Sequence, residues 1–146
     1  MQISVGVDGL QIIFMGALLF ALGLFQGLLI PAFKNPRMAL SAHLTAVQAG
    51  TAIIAFGVTW SFINLPRQLL LITKVSFVGG NYLIWFGIIL AAYTGASKAL
   101  PIAGKGFVGT QRAELSVNVL AVTGIALSLL SGVLIVAGLG STAFGA

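Results

Sequence analysis

Four apolar runs, each about 20 residues or longer and separated by short segments that hold nearly all the charge, leave this chain few ways to fold. Seven Lys or Arg and two Asp or Glu are spread over 146 residues. A soluble domain devotes about a quarter of its residues to those four types. The outer surface of this chain is therefore expected to face lipid. The spans predicted from the runs lie at about 9–30, 42–63, 69–93 and 113–139. They make one domain over residues 1–146, an all-α integral membrane four-helix bundle of antiparallel, up-down topology. The absence of cysteine excludes disulfides, zinc fingers and cysteine-ligated iron–sulfur clusters.

Along the chain, a short polar lead ends at Asp8, a candidate helix cap, and span 1 stops at Pro31. Gly23 and Gly27 of span 1 have the Gly-x-x-x-Gly spacing that lets membrane helices approach closely. The N-terminus lacks the basic region of a signal peptide, so the first run is read as a retained span. The Asn35-Pro36-Arg37 corner marks a turn, because proline disfavours helix at the residue before it. Ser41 is the candidate N-cap of span 2, which places His43 in the first turn, near the membrane boundary. A tight Asn64–Arg67 loop makes spans 2 and 3 a hairpin. The tail after span 4 is expected to be loose.

Five basic residues (Lys34, Arg37, Lys98, Lys105, Arg112) fall in the first and third loops, against Arg67 and Lys74 on the other side. The positive-inside rule then puts those two loops in the cytoplasm, with the chain a multi-pass protein of the cytoplasmic membrane. The net charge of +5 is placed for membrane orientation and is not a nucleic-acid signal. Lys74 is expected to be structural or to snorkel towards the second loop.

Polar side chains inside membrane spans are costly and usually face the bundle interior. His43, the only histidine, shares a helical face with Ala46, Val47, Gly50, Ile54 and Gly57. That face is a nitrogen donor above a small-residue wall on which a planar ligand can lie. Lys74, Asn81 and Trp85 form one stripe of span 3, and Glu114, Asn118, Ala121, Ile125 and Ser128 one stripe of span 4. The phases predict one polar pocket lined by His43, Asn81, Trp85, Glu114 and Asn118. Each residue also has a plainer reading. His43, Asn81 and Asn118 can serve as interhelical hydrogen-bond residues, Trp85 as packing, and Glu114 as a helix-dipole or Arg112/Lys98 partner. The chain has no Ser–His–Asp set, no paired carboxylates and no phosphate-cradling loop. With one histidine, it cannot build a two-histidine haem site within one chain.

The string PAFKNPRMALSAHL, then GGNYLIWFG, then a glycine-rich loop with PIAG, resembles the hydroxylaminobenzene mutase family and the related membrane-bound styrene oxide isomerases. The resemblance covers almost the whole chain, and NPRM-x-L-S-x-H-L is its most specific part. It implies a trimer of four-helix subunits that binds haem b, with His43 as the iron ligand and Asn81 and Trp85 at positions that touch substrate; the helical wheels add Ala46, Val47 and Gly50 beside the cofactor and Asn118 at the reaction site. It also implies a small aromatic substrate and an intramolecular rearrangement, hydroxylaminobenzene to 2-aminophenol or epoxide to aldehyde. Two positions depart from the family pattern. Ala49 stands where the family has an asparagine six residues after the histidine, and Trp85 stands where the isomerases have a tyrosine. Gln48 lies about 140° from His43 on the wheel and does not restore the amide to that face.

The chemistry so implied uses iron as a Lewis acid towards an N–OH or epoxide oxygen, in a pocket dry enough to favour internal transfer over capture by water. Asn81 is expected to hold the oxygen and Trp85 to stack on the ring. Two other classes compete: a haem-bearing electron carrier or anchor subunit, and a haem-free membrane protein such as a small transporter. A Soret band separates the last from the others.

Overall fold

The computed structural model describes residues 5–104 and 106–145. Residues 1–4 of the polar lead, Lys105 of the third loop and Ala146 lie outside the described residues. Five helices follow in order: α1 (Val7–Leu28), α2 (Pro36–Thr59), α3 (Arg67–Thr94), the one-turn α4 (Pro101–Gly104) and α5 (Gln111–Phe144). No strand occurs among the described residues. The four long helices are each apolar and long enough to cross a membrane, so the chain is an all-α membrane protein of four antiparallel spans.

Helix α2 begins at Pro36, well before the predicted Ser41 cap. Asn35 is the N-cap, and its Oδ1 accepts the Met38 amide at 3.1 Å. Pro36 sits at the first helical position, where its missing N–H costs nothing. Proline does keep Asn35 out of the helix, yet it starts the helix rather than delaying it. His43 is therefore two turns in. At α1 the N-cap is Gly6, not Asp8. Asp8 lies in the first turn and pairs with Lys74 at 2.6 Å, and Lys74 also donates to Gln11 Oε1 at 2.6 Å. Lys74 thus ties α3 to α1 instead of reaching for the second loop. The tail expected to be loose is helical to Phe144. Its hydroxyls hold it down: Ser141 Oγ donates to Asn64 O and Thr142 Oγ1 to Phe62 O.

The main seams run α1 on α2, α2 on α3 and α3 on α5, with a lighter contact between α1 and α3. The α1–α2 seam is a ladder of small residues repeated every seven positions. A Cβ on Gly9 would lie 2.8 Å from Gly57 O, and one on Gly16 would lie 2.7 Å from Gly50 O. On the next rung, a Cβ on Gly23 would meet that of Ala46 at 2.6 Å. Lipid tails give helices no hydrophobic reason to associate, so close backbone approach and its dispersion contacts must do so. The α3–α5 seam uses the same device. Gly80 and Gly124 face each other, each with its would-be Cβ within 2.9 Å of the other's carbonyl oxygen, and the fully buried Thr73 and Ser131 lie one heptad further on. Between α2 and α3 the contact is aromatic, with Phe56 and Phe77 edge to face at 4.6 Å.

Gly50→Ala is expected to lower stability in mild detergent by about 1–3 kcal/mol, since its Cβ would press on backbone atoms that cannot yield. Gly132→Ala is the matched control, because nothing lies within 4 Å of its Cβ position. Thermal unfolding of the two variants checks this; equal shifts would remove the seam as the explanation.

Candidate functional site

His43 is placed by the last rungs of the α1–α2 ladder. Its Nδ1 lies 2.8 Å from Gly23 O. A carbonyl oxygen can only accept, so Nδ1 carries a proton, and in the neutral ring Nε2 keeps its lone pair. The imidazole fits against α1 because position 27 is glycine: a Cβ there would lie 2.7 Å from Nδ1 and 2.9 Å from Cε1. A histidine held through one ring nitrogen with the other free is the arrangement in which protein imidazoles bind metals. His43 is half-buried, and Nε2 has no partner among the described residues. No group of three or more His, Asp or Glu side chains gathers among them. A metal at His43 would have to bring its remaining ligands with it, as a porphyrin-bound iron does.

The small-residue face predicted as a wall for a planar ligand is filled by α1. Ala46 is fully buried, and a Cβ on Gly50 would lie 2.7 Å from Phe20 N. Ala46 and Gly50 therefore contact a helix and have no room for a cofactor. Val47 is half-buried at the edge of the same seam. The sequence pattern was real, but it serves helix packing.

The polar stripes also separate. Glu114 is buried, and its two carboxylate oxygens accept the amides of Ser97, Lys98 and Gly109 at 3.0–3.2 Å. These bonds fold the loop between α3 and α5, so Glu114 organises backbone instead of lining a pocket with His43. Asn118 is exposed, because the buried edge of α5 follows Glu114, Val117, Gly124, Ser131 and Gly138. It lines a cavity of about 350 Å³ with Lys98, Ala99, Gln111, Glu114 and Leu115, which includes none of His43, Asn81 and Trp85.

On α3, Asn81 is half-buried and its Nδ2 donates to Phe77 O at 2.7 Å, which leaves Oδ1 free to accept. Trp85 is 8% exposed, with Tyr82 and Phe86 edge-on to its ring at 6.3 and 6.2 Å. Its Nε1 is buried and has no acceptor among the described residues. A buried donor without a partner costs about 1–3 kcal/mol. It stands out here as a polar atom that packing leaves ready for an acceptor.

Two further polar side chains, neither placed in the pocket by the helical stripes, tie the helices together. Gln26, one turn from His43's carbonyl partner, donates Nε2 to Ala39 O at 2.9 Å while its buried Oε1 has no donor. Tyr82 donates its hydroxyl to Met15 O at 2.8 Å and so bridges α3 to α1. On α1, the spacing Gly23-x-x-x-Gly27 is the sequence signal that points to the corner holding His43 and Gln26. A cavity of about 650 Å³ between α1 and α3 is lined by Val7, Leu10, Phe14, Met15, Val75 and Val78 among others. It lies along the N-terminal half of α1, whereas His43 meets the C-terminal half.

The geometry can be set beside known proteins. The curated hydroxylaminobenzene mutase HabA of Ectopseudomonas oleovorans is 43% identical over 89 residues, 60% of this chain and 66% of that protein. Hydroxylaminobenzene mutase HabB of the same organism is 36% identical over 126 residues, 77% of this chain and 75% of its own length. No solved structure gives a significant match. A profile of the family described as styrene oxide isomerase matches residues 9–140, which takes in nearly all of the four long helices and His43. The chain belongs to the styrene oxide isomerase family.

Proposed function

We propose that this chain is an isomerase of the cytoplasmic membrane that rearranges an arylhydroxylamine to an ortho-aminophenol, with haem b held at His43 in a homotrimer. The observation that carries the proposal is the state of His43: Nδ1–H is committed to Gly23 O, and Nε2 has no partner among the described residues. The names of HabA and HabB favour the arylhydroxylamine as substrate. The family profile's own name favours an epoxide-to-aldehyde isomerisation as the second reading. A haem-bearing or haem-free membrane subunit without catalysis is what remains if neither rearrangement is observed.

Bound haem would supply an iron with one open position, a Lewis acid towards the substrate's N–OH or epoxide oxygen. The chain's own residues do the rest. The Gly23 carbonyl fixes the tautomer and plane of the imidazole and so aims Nε2. Asn81 orients the substrate through the amide functions that Phe77 O leaves unused. The Trp85 indole N–H donates to the oxygen as charge builds on it, a role a tyrosine hydroxyl can share, and its ring offers an apolar wall. The apolar surroundings keep water from capturing a cation before the oxygen has moved within the molecule. Substrate and product are isomers, so electrons and protons balance with no NADH, oxygen or oxidant.

Purified protein is expected to show a Soret band, and His43→Ala to lose it or shift it strongly. An unchanged band in that variant would exclude His43 as the ligand. Turnover of hydroxylaminobenzene should proceed with no added redox partner, and in oxygen-18 water the aminophenol hydroxyl should stay unlabelled. Substantial label would mean that water traps a released cation, against the internal transfer proposed here.

Asn81→Ala is expected to slow turnover by about 30- to 1000-fold, the cost of about 2–4 kcal/mol for a polar contact that strengthens in the transition state. Trp85→Phe keeps a ring and removes the N–H, for an expected loss of roughly 5- to 12-fold, or about 1–1.5 kcal/mol. Both variants should keep their haem. A fall in haem content parallel to the fall in rate would make them structural residues.

A further inference from the structure

Helix α2 has α1 on one side and α3 on another, and a third side faces outward. Leu44, Gln48, Thr51, Ala55 and Val58 are all exposed there. Their spacing of four, three, four and three residues is that of a helix–helix seam. Thr51 satisfies its own hydroxyl by donating to Val47 O at 2.9 Å. Gln48 has no hydrogen bond to any described residue, and it stands at the centre of the apolar span Pro36–Phe62. The exposed Arg67, Gln68, Gln111, Arg112 and Asn118 are placed differently, within about two turns of a helix start, where headgroups and water reach them.

An amide at mid-bilayer needs a partner, and lipid tails offer none. We infer that the 44/48/51/55/58 stripe of α2 is the seam by which copies of this chain pack side by side, with their Gln48 amides hydrogen-bonded to one another. The occupant is a second copy for two reasons. Copies inserted with the same topology bring identical residues to identical depth, and a primary amide is both donor and acceptor, so it complements itself across a symmetry axis. Thr51 and Ala55, one and two turns further on, are small enough for the helices to approach, and Leu44 and Val58 close the two ends. The outer side of α5, rich in Leu115, Val119, Val122, Leu129 and Val133, has no such amide near its centre and suits lipid. A single polar residue in an apolar seam also fixes register, since any slip separates the amides.

The inference deepens the homotrimer of the proposed function and is independent of the haem. The chain has no cysteine, which makes single-cysteine cross-linking clean. In native membranes, oxidation of Ala55→Cys should give a disulfide-linked dimer of this chain, and Val133→Cys should give little. Absence of the Ala55→Cys dimer, or its cross-linking to a different protein instead, would overturn the seam. In detergent, Gln48→Leu should raise the subunit dissociation constant at least about tenfold, while Gln48→Asn retains most of the association; an unchanged constant in Gln48→Leu would overturn the role of the amide. Haem content and turnover measured on the same samples keep the two proposals apart. An active haem protein that fails to cross-link refutes the seam alone, and a cross-linked protein without haem or turnover refutes the function alone.

Discussion

The close passage of α1 over α2 determines most of what this chain can do. Where Gly9 meets Gly57 and Gly16 meets Gly50, main chains come within the distance a methyl group would forbid. That approach carries down the ladder to Gly23, whose carbonyl is thereby delivered to His43, and to Gly27, whose missing side chain admits the ring. A bulkier α1 would stand off from α2 by an ångström or more and leave the imidazole free to spin. The imidazole is thus oriented by backbone geometry and not by a carboxylate, which a bilayer would make costly to bury.

Polar groups in this protein divide sharply into those already used and those left over. Asn35 is fully buried and engaged three ways: it caps α2, its amide donates to Ala92 O, and its Nδ2 donates to Ala103 O. Lys34 donates to Thr94 O at the end of α3, which closes on Gly95 in the left-handed conformation. Glu114 is saturated by amides. These bonds knit the first and third loops into a platform at the His43 end. Against that economy, the unbonded Trp85 Nε1 and Gln26 Oε1 are exceptions, and exceptions of this kind are where a ligand finds purchase.

The four spans could be read from hydropathy alone, because long uncharged runs admit few other structures. The helix ends could not. Pro36 blocks helix at the residue before it and begins helix at itself, two opposite cues carried by one residue. The repeat that builds both seams was harder to see. Gly9, Gly16 and Gly23, or Thr73, Gly80 and Gly87, mark a seven-residue period, but glycine also marks turns, ligand walls and flexible tails. Reading Ala46 and Gly50 as a ligand wall followed the right face and chose the wrong occupant, since nothing in a single helix says whether its flat side meets a cofactor or a neighbour. Asn118 failed for a related reason. The side of α5 that is buried depends on its contact with α3, and a polar stripe near a helix end can turn outward to water. Glu114 was half legible, as an N-terminal acid, but its partners are loop amides whose approach no side-chain pattern records.

Helix α5 carries one more consequence. At about 1.5 Å per residue its 34 residues run to about 51 Å, well beyond a hydrocarbon layer of about 30 Å. Tilt alone would need more than the 40° or so that membrane helices adopt, so part of α5 stands in the headgroup region. Both ends are fastened, through Glu114 to the third loop and through Ser141 and Thr142 to the second. Such a helix is a rigid strut between the two faces of the membrane, holding the loops at a separation that the bilayer does not choose. Lipids of different chain length must therefore deform around the protein, and hydrophobic mismatch, not sequence identity of the loops, will decide in which membranes it sits without strain.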